Sequence, residues 1–231
     1  MFWTFVEAGQ IANGQVVIEG KKGHHLARVL RVRPGERGVA VSSQRAYEVE
    51  IIEAKGERVL ARVLADQPAT GEPGTAVTLI QAVLPNPDFD AVIEAGTAVG
   101  INRFVAVQAH RSVSRPAAAR LTRWQAIAES AAEQSHRGKV PVVEGPLSLA
   151  AAVESIEASR LLVLEPSAAI PLLGALDGSR SYVIAVGPEG GWTDAELALL
   201  GGRGAVAVNL GPRILRARLA PIVAAAILVQ Q

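Results

Sequence analysis

Two glycine-bearing loops near the C-terminal end confine this chain to a narrow set of folds. The apolar run Tyr182 to Val186 leads into Gly187-Pro188-Glu189-Gly190-Gly191, and the run Val206 to Leu210 leads into Gly211-Pro212-Arg213-Ile214-Leu215-Arg216. Short, near-continuous apolar runs suit parallel strands that are covered on both faces. Each loop then leads into a helix. Thr193 can cap the first of these, and Glu196 three residues on completes a capping box. The final helix is expected to begin near Pro221, because proline fits a first helical turn. Loops at the carboxyl ends of parallel strands are where open α/β sheets hold small ligands. Gly187, Gly190 and Gly191 allow close backbone approach to a ligand. Their amides and carbonyls can read the edge of an adenine, although the five residues by themselves also fit a plain strand-to-helix turn.

The preceding sequence alternates in the same way. Strands are predicted at Val77 to Val83, Phe104 to Val107, Val140 to Val143 and Leu161 to Leu164. Helices are predicted at Phe89 to Val99, Ala117 to Ser135 and Leu149 to Ile156. The long helix places Leu121, Trp124, Ile127, Ala128 and Ala131 on one face. This alternation predicts an α/β domain, a mostly parallel sheet with helices on both sides. The N-terminal third reads differently. A short helix is expected from His24 to Leu30, with Leu26, Val29 and Leu30 as its apolar positions, and Pro34-Gly35 ends it. Val39 to Ser42, Tyr47 to Ile52 and Val59 to Leu64 then read as strands of a small antiparallel barrel. The segment Asp66 to Gly74 is rich in Pro and Gly and lacks periodicity. It divides the chain into a β-domain at 1–66, a linker at 67–76 and an α/β domain at 77–231.

Composition narrows the chemistry. At 231 residues, 49% hydrophobic and 19% charged, the chain can bury one large core or two smaller ones. It has no cysteine, which excludes disulfides, cysteine–zinc sites and thiol nucleophiles. The four histidines, at positions 24, 25, 110 and 136, offer no metal-ligand pair at helical spacing, so no metal site is expected. The start Met1-Phe2-Trp3-Thr4 does not read as a secretory leader, and the apolar run Leu219 to Val229 is too short to span a bilayer. A cytoplasmic location and no membrane partner are therefore expected. The phosphate loop GxxxxGK[ST], GxGxxG, GxSxG and HExxH are all absent. The net charge is only +1, so contact with nucleic acid has to come from local clustering. His24, His25, Arg28, Arg31, Arg33 and Arg37 do cluster. By themselves they fit either a solvated basic face or a phosphate-neutralising one.

The two glycine loops, in this order, resemble the cofactor motifs of the SPOUT-type, trefoil-knotted RNA methyltransferases. Within that group the chain is most similar to the family that methylates N3 of a uridine in small-subunit ribosomal RNA. Further stretches carry the likeness: His24-His25-Leu26-Ala27-Arg28-Val29-Leu30-Arg31 before Pro34-Gly35, Arg111-Ser112-Val113, and Ala131-Ala132-Glu133-Gln134-Ser135-His136-Arg137 before Val140-Pro141. The resemblance implies an N-terminal PUA-like β-barrel and a C-terminal SPOUT-like α/β trefoil knot with a parallel sheet. It implies S-adenosyl-L-methionine as cofactor, held by Leu164, Glu165, Gly187, Pro188, Glu189, Gly190, Gly191, Leu210, Gly211, Arg213, Ile214 and Leu215. It further implies 16S rRNA or the small ribosomal subunit as partner, with RNA contacts at His25, Arg28, Arg31 and Arg137, and a homodimer. The C-terminal apolar residues Ile222, Val223, Ile227 and Leu228 are consistent with an interface, as they are with a core helix. Methyl transfer to a ring nitrogen asks mainly for alignment. The uridine N3 proton must also leave, and an arginine can stabilise the charge that develops on the uracil carbonyls. Arg216 and Arg111 are the candidates for that catalytic role.

The chain departs from the family pattern at several positions. Arg218-Leu219 stands where the family usually has Glu-Thr, and Asn86-Pro87-Asp88 stands where a basic residue is expected. The stretch Ala95-Gly96-Thr97-Ala98-Val99-Gly100 also lacks the family's Lys and Glu. Three readings therefore stand side by side. They are an active uridine-N3 methyltransferase, a weakly active relative that still binds RNA or S-adenosylmethionine, and a knotted methyltransferase acting on another RNA.

Overall fold

The structure is a computed structural model that describes residues 1–115, 119–156 and 160–231. The chain separates into two compact units. The first holds Met1–Glu72 and Ala132–Lys139, and the second Pro73–Ala131 and Val140–Gln231.

The first unit contains β1 (Phe2–Phe5), β2 (Ile11–Ala12), β3 (Gln15–Ile18), α1 (Gly20–His24), β4 (Arg37–Ser42), β5 (Arg45–Lys55) and β6 (Arg58–Pro68). The strands pair in the order β1-β4-β5-β6-β3-β2. The three strands expected here, β4, β5 and β6, pair antiparallel as predicted, β3 and β2 extend them antiparallel, and β1, not among those expected, adds a parallel edge on β4. Alternation along the strands buries Val16, Ile18, Ala40, Val49, Ile51, Val59 and Ala61 in one cluster with Phe2 and Leu26. The helix predicted from His24 begins earlier. α1 runs directly into a π-helical stretch, His25–Leu30, that ends on left-handed Arg31. The wider π turn puts only Leu26 into the core and leaves Val29 and Leu30 at 60% and 52% exposure.

The second unit contains β7 (Ala76–Ala82), α2 (Asp88–Val99), β8 (Arg103–Val107), α3 (Ala119–Gln134), β9 (Val142–Leu147), α4 (Leu149–Glu154), β10 (Arg160–Leu164), β11 (Ile170–Pro171), β12 (Ser181–Val186), α5 (Asp194–Gly201), β13 (Val206–Asn209) and α6 (Ala220–Leu228). The start predicted for α3 at Ala117 lies outside the described residues, and its last turn belongs to the first unit. The seven strands pair in the order β11-β13-β10-β12-β7-β8-β9, every pair parallel. Successive side chains of a strand point to opposite faces, so this sheet builds two cores. Leu79, Phe104, Leu162, Tyr182 and Ile184 meet Phe89 and Ile93 of α2, Trp124 of α3 and Ala224 of α6 on one face. Ile80, Val105, Val163 and Val183 meet Val153 of α4 and Leu200 of α5 on the other. α6 starts as predicted, with Pro221 in its first turn. Its buried residues are Ala220, Pro221, Ala224, Ala225 and Leu228; Ile227 flanks them and packs on the core, and Ile222 and Val223 remain half-buried on the far side. Among the described residues no helix is long and apolar enough to cross a membrane.

Candidate functional site

The carboxyl ends of three neighbouring strands, β13, β10 and β12, open into a cavity of about 590 Å³ in the second unit. That size suits a nucleoside-sized ligand. Its walls are Leu164 to Pro166 after β10, Val186 to Trp192 after β12, Val208 to Gly211 after β13 and Arg213 to Arg218 before α6. All twelve residues expected to hold the cofactor line it: Leu164, Glu165, Gly187, Pro188, Glu189, Gly190, Gly191, Leu210, Gly211, Arg213, Ile214 and Leu215. So does Arg216.

Each wall is braced by local bonds. The first glycine loop closes as a turn, with the Gly191 amide donating to the Pro188 carbonyl at 2.8 Å. Gly191 sits at φ 71°, a left-handed conformation that L side chains resist. A Cβ on Gly187 would approach the Trp192 amide nitrogen to 3.2 Å, so a side chain there would press on the following turn. The loop ends on the α5 cap, where Thr193 and Glu196 form the predicted capping box. Asn209 braces two walls together. Its Oδ1 accepts from the Gly211 amide at 2.9 Å, and its Nδ2 donates to the Ala168 carbonyl at 2.9 Å. Glu165 is held by its own turn, accepting from the Ser167 hydroxyl at 3.1 Å.

The arginines divide into distinct roles. Arg213 and Arg216 are exposed, and among the described residues neither guanidinium has a hydrogen-bond or ion-pair partner. Ile214 between them is 86% exposed, an apolar side chain at the cavity wall with nothing packed over it. Arg218 donates to Asp88 Oδ1 at 2.8 Å, joining the segment before α6 to the first turn of α2. The residue that departs from the expected pattern therefore has an acid to match it. Arg111 does not line the cavity. Its Nη1 donates to the carbonyls of Gly190 at 2.8 Å and Trp192 at 3.3 Å, and its stem packs on Gly190, where a Cβ would lie 3.4 Å away. In this position Nη1 of Arg111 holds the glycine loop from outside the cavity wall. The neighbouring His110 amide donates to Glu196 Oε1 at 2.8 Å, so the segment after β8 is latched both to the glycine loop and to the first turn of α5. Burial pushes the Glu196 carboxyl up, but hydrogen bonds from Thr193 and His110 outweigh it and hold the group below the usual glutamate range.

The RNA-contact candidates lie in the first unit. His25, Arg28 and Arg31 are exposed on or next to the π-helical stretch. Arg137 requires correction. It is 1% exposed, and its guanidinium meets both carboxylate oxygens of Glu72 at 2.7 and 3.1 Å. Glu72 also accepts from the Gly138 and Lys139 amides. Such a buried, bidentate pair is structural, and it fixes the segment after α3. Sequence reasoning did not assign Asp88, Pro166, Trp192, Asn209 or Arg218 to the cavity wall. Of these, Pro166, Trp192 and Asn209 adjoin the motifs already singled out. Asp88 is distant in sequence, and only the fold brings it there. Among the described residues no cluster of acids and histidines can hold a metal ion.

Residues 71–229 match the family described as an RNA methyltransferase domain, and residues 18–64 the one described as an RNA methyltransferase PUA domain. A Ribosomal RNA small subunit methyltransferase E from Mycobacterium tuberculosis is 36% identical over 234 residues, covering 96% of this chain and 87% of that protein. The protein of the same name from Synechocystis is 35% identical, covering 94% of this chain and 73% of its own length. Among solved structures, that of a Ribosomal RNA small subunit methyltransferase E from Neisseria gonorrhoeae bound to S-adenosyl methionine superposes with a TM-score of 0.89 at 30% identity, covering 97% of this chain and 96% of that one. With a matching catalytic-domain model across most of its length and close relatives that span nearly all of it, the chain belongs to the RNA methyltransferase family of the small-subunit methyltransferase E type.

Proposed function

We propose that the chain methylates 16S rRNA of the small ribosomal subunit, using S-adenosylmethionine as donor and N3 of a uridine as acceptor. The observation that carries this reading is the cavity itself. Every residue expected to hold the cofactor meets around one space at three adjacent strand ends. The donor set fits the cofactor: bare backbone at Gly187 and Gly191 for close approach, an exposed apolar Ile214 for a flat base, and carboxylates at Glu165 and Glu189 for a cationic ligand. When bound, the cofactor supplies an electrophilic methyl group on a sulfonium.

The chain's own residues then have three tasks. The glycine loops hold the donor side, and Arg111 fixes the first of them through its carbonyls. Arg216, with its guanidinium free at the cavity wall, stabilises negative charge on the uracil carbonyls as the N3 proton leaves. The exposed His25, Arg28 and Arg31 neutralise RNA phosphates from the first unit. Ion pairing between Arg218 and Asp88 favours the active reading over a degenerate one, because the altered residue leaves no unmatched charge. The trefoil knot of the C-terminal segment, a homodimer and a cytoplasmic location belong to the same proposal.

The test is transfer of a labelled methyl group from S-adenosylmethionine to small subunits from cells that lack the uridine modification, followed by nucleoside analysis. 3-Methyluridine is the expected product. A label on another nucleoside would retain the enzyme and discard the uridine-N3 assignment. No label, with an active relative working alongside, would discard the enzyme reading.

A further inference from the structure

The last turn of α3 ends in the first unit with a histidine in a position that ordinarily favours glycine. The Arg137 amide donates to the Ala132 carbonyl at 2.9 Å, and the His136 amide to the Glu133 carbonyl at 3.3 Å. This is a Schellman ending, and its left-handed residue is His136, at φ 56°. Glycine or asparagine adopts that conformation with less strain, and backbone strain kept at a surface position is a pointer to function. His136 is exposed, and its imidazole lies flat on the Trp3 indole, with ring centroids 4.8 Å apart and planes 11° off parallel. The indole is held from its edge, since Nε1 donates to the Arg137 carbonyl at 3.0 Å. A backed aromatic surface therefore faces solvent in the first unit, outside the residues 18–64 that match the PUA domain.

The same strand and helix end bond to α1 through Lys22, whose charge is paired with Glu133. Lys22 of α1 donates to the Phe5 carbonyl and to Glu133 Oε1, while Glu133 also accepts from the Thr4 hydroxyl and the Phe5 amide. β1, the end of α3 and α1 are thus bonded into one patch, and α1 leads directly into the stretch bearing His25 and Arg28. Aromatic rings beside basic residues hold single-stranded nucleic acid by base stacking.

We propose that the Trp3–His136 stack is a platform for one unpaired base of the substrate RNA, received on the outer face of His136. The proposal rests on the RNA methyltransferase reading and adds a specific subsite to it. His136→Gly and His136→Asn remove the ring and keep the left-handed turn, and glycine also relieves its strain. A platform predicts that both variants keep or gain thermal stability. It further predicts that their KM for small ribosomal subunits rises by roughly 5- to 100-fold, the range of one lost base stack. S-adenosylmethionine affinity and kcat should stay unchanged, and His136→Phe should retain most of the wild-type KM.

A direct reading is available. Trp124 and Trp192 are buried, so Trp3 is the solvent-accessible indole of the three, and oligouridylate should quench its fluorescence in wild type but not in Trp3→Phe. If His136→Gly and His136→Asn keep the wild-type KM, or lose stability with it unchanged, the stack is a tether and the proposal is overturned. If the wild type transfers no methyl group, the function reading fails, and quenching alone decides the platform: its absence overturns the subsite too.

Discussion

The arginines around the cavity separate binding from chemistry. Arg111→Ala removes a cationic donor from two loop carbonyls, an interaction of about 1.5–3 kcal/mol. S-adenosylmethionine affinity measured by calorimetry should therefore fall by about tenfold or more. Arg216→Ala should leave that affinity nearly unchanged and lower the single-turnover transfer rate by about 100-fold, the usual cost of one lost charge-stabilising donor. Arg218→Ala breaks a half-exposed pair with Asp88, worth roughly 0.2–1 kcal/mol. Its melting temperature should drop only slightly, and Asp88→Arg combined with Arg218→Asp should recover the loss. A large loss of transfer in Arg218→Ala with the fold intact would instead place Arg218 at the acceptor. Sequence order revealed which of these residues lie near the glycine loops. It did not reveal their bonds. Arg111 and Arg137 read as free cations because their partners, Gly190 and Glu72, lie far away along the chain and are brought near by folding.

At the level of elements, the start of α5 is the most legible feature and the most testable. Thr193→Ala removes the cap, at a cost of about 1 kcal/mol by thermal or denaturant unfolding. Glu196 adds a pH dependence. Its folded pKa is depressed, so below the ordinary glutamate value the unfolded chain takes up the proton first. The stabilisation is complete above that value and is lost as pH falls through the lower, folded one. Glu196→Gln should flatten the stability profile in this acidic window, and an unchanged profile would show that the hydrogen bonds from Thr193 and His110 do not stabilise the folded carboxylate. The strands of the α/β unit were legible because they are apolar on both faces, as in Tyr182 to Val186. β11 was not: two exposed residues, one a proline, carry no pattern. β1 to β3 also escaped notice, since four residues or fewer are too short to establish an alternation.

For the molecule as a whole, α6 bears directly on assembly. Its core face is built from Ala220, Pro221, Ala224, Ala225 and Leu228, while Ile222 and Val223 remain half-buried on the far side. Ile222→Glu together with Val223→Glu should give a folded monomer by light scattering if this side is the dimer interface. A dimer of unchanged mass would place the interface elsewhere.

The first unit is not a continuous stretch of chain: Glu72 finds its partner at Arg137, and Trp3 finds its own at His136. During synthesis, the ribosome must therefore deliver the first half of the second unit before the first unit can be completed. Until Lys139 has left the exit tunnel, the outward side of β1 stays uncovered and the Glu72 carboxylate stays in water. The unit that begins the chain therefore waits for Lys139 rather than for the linker, and the other waits for Gln231.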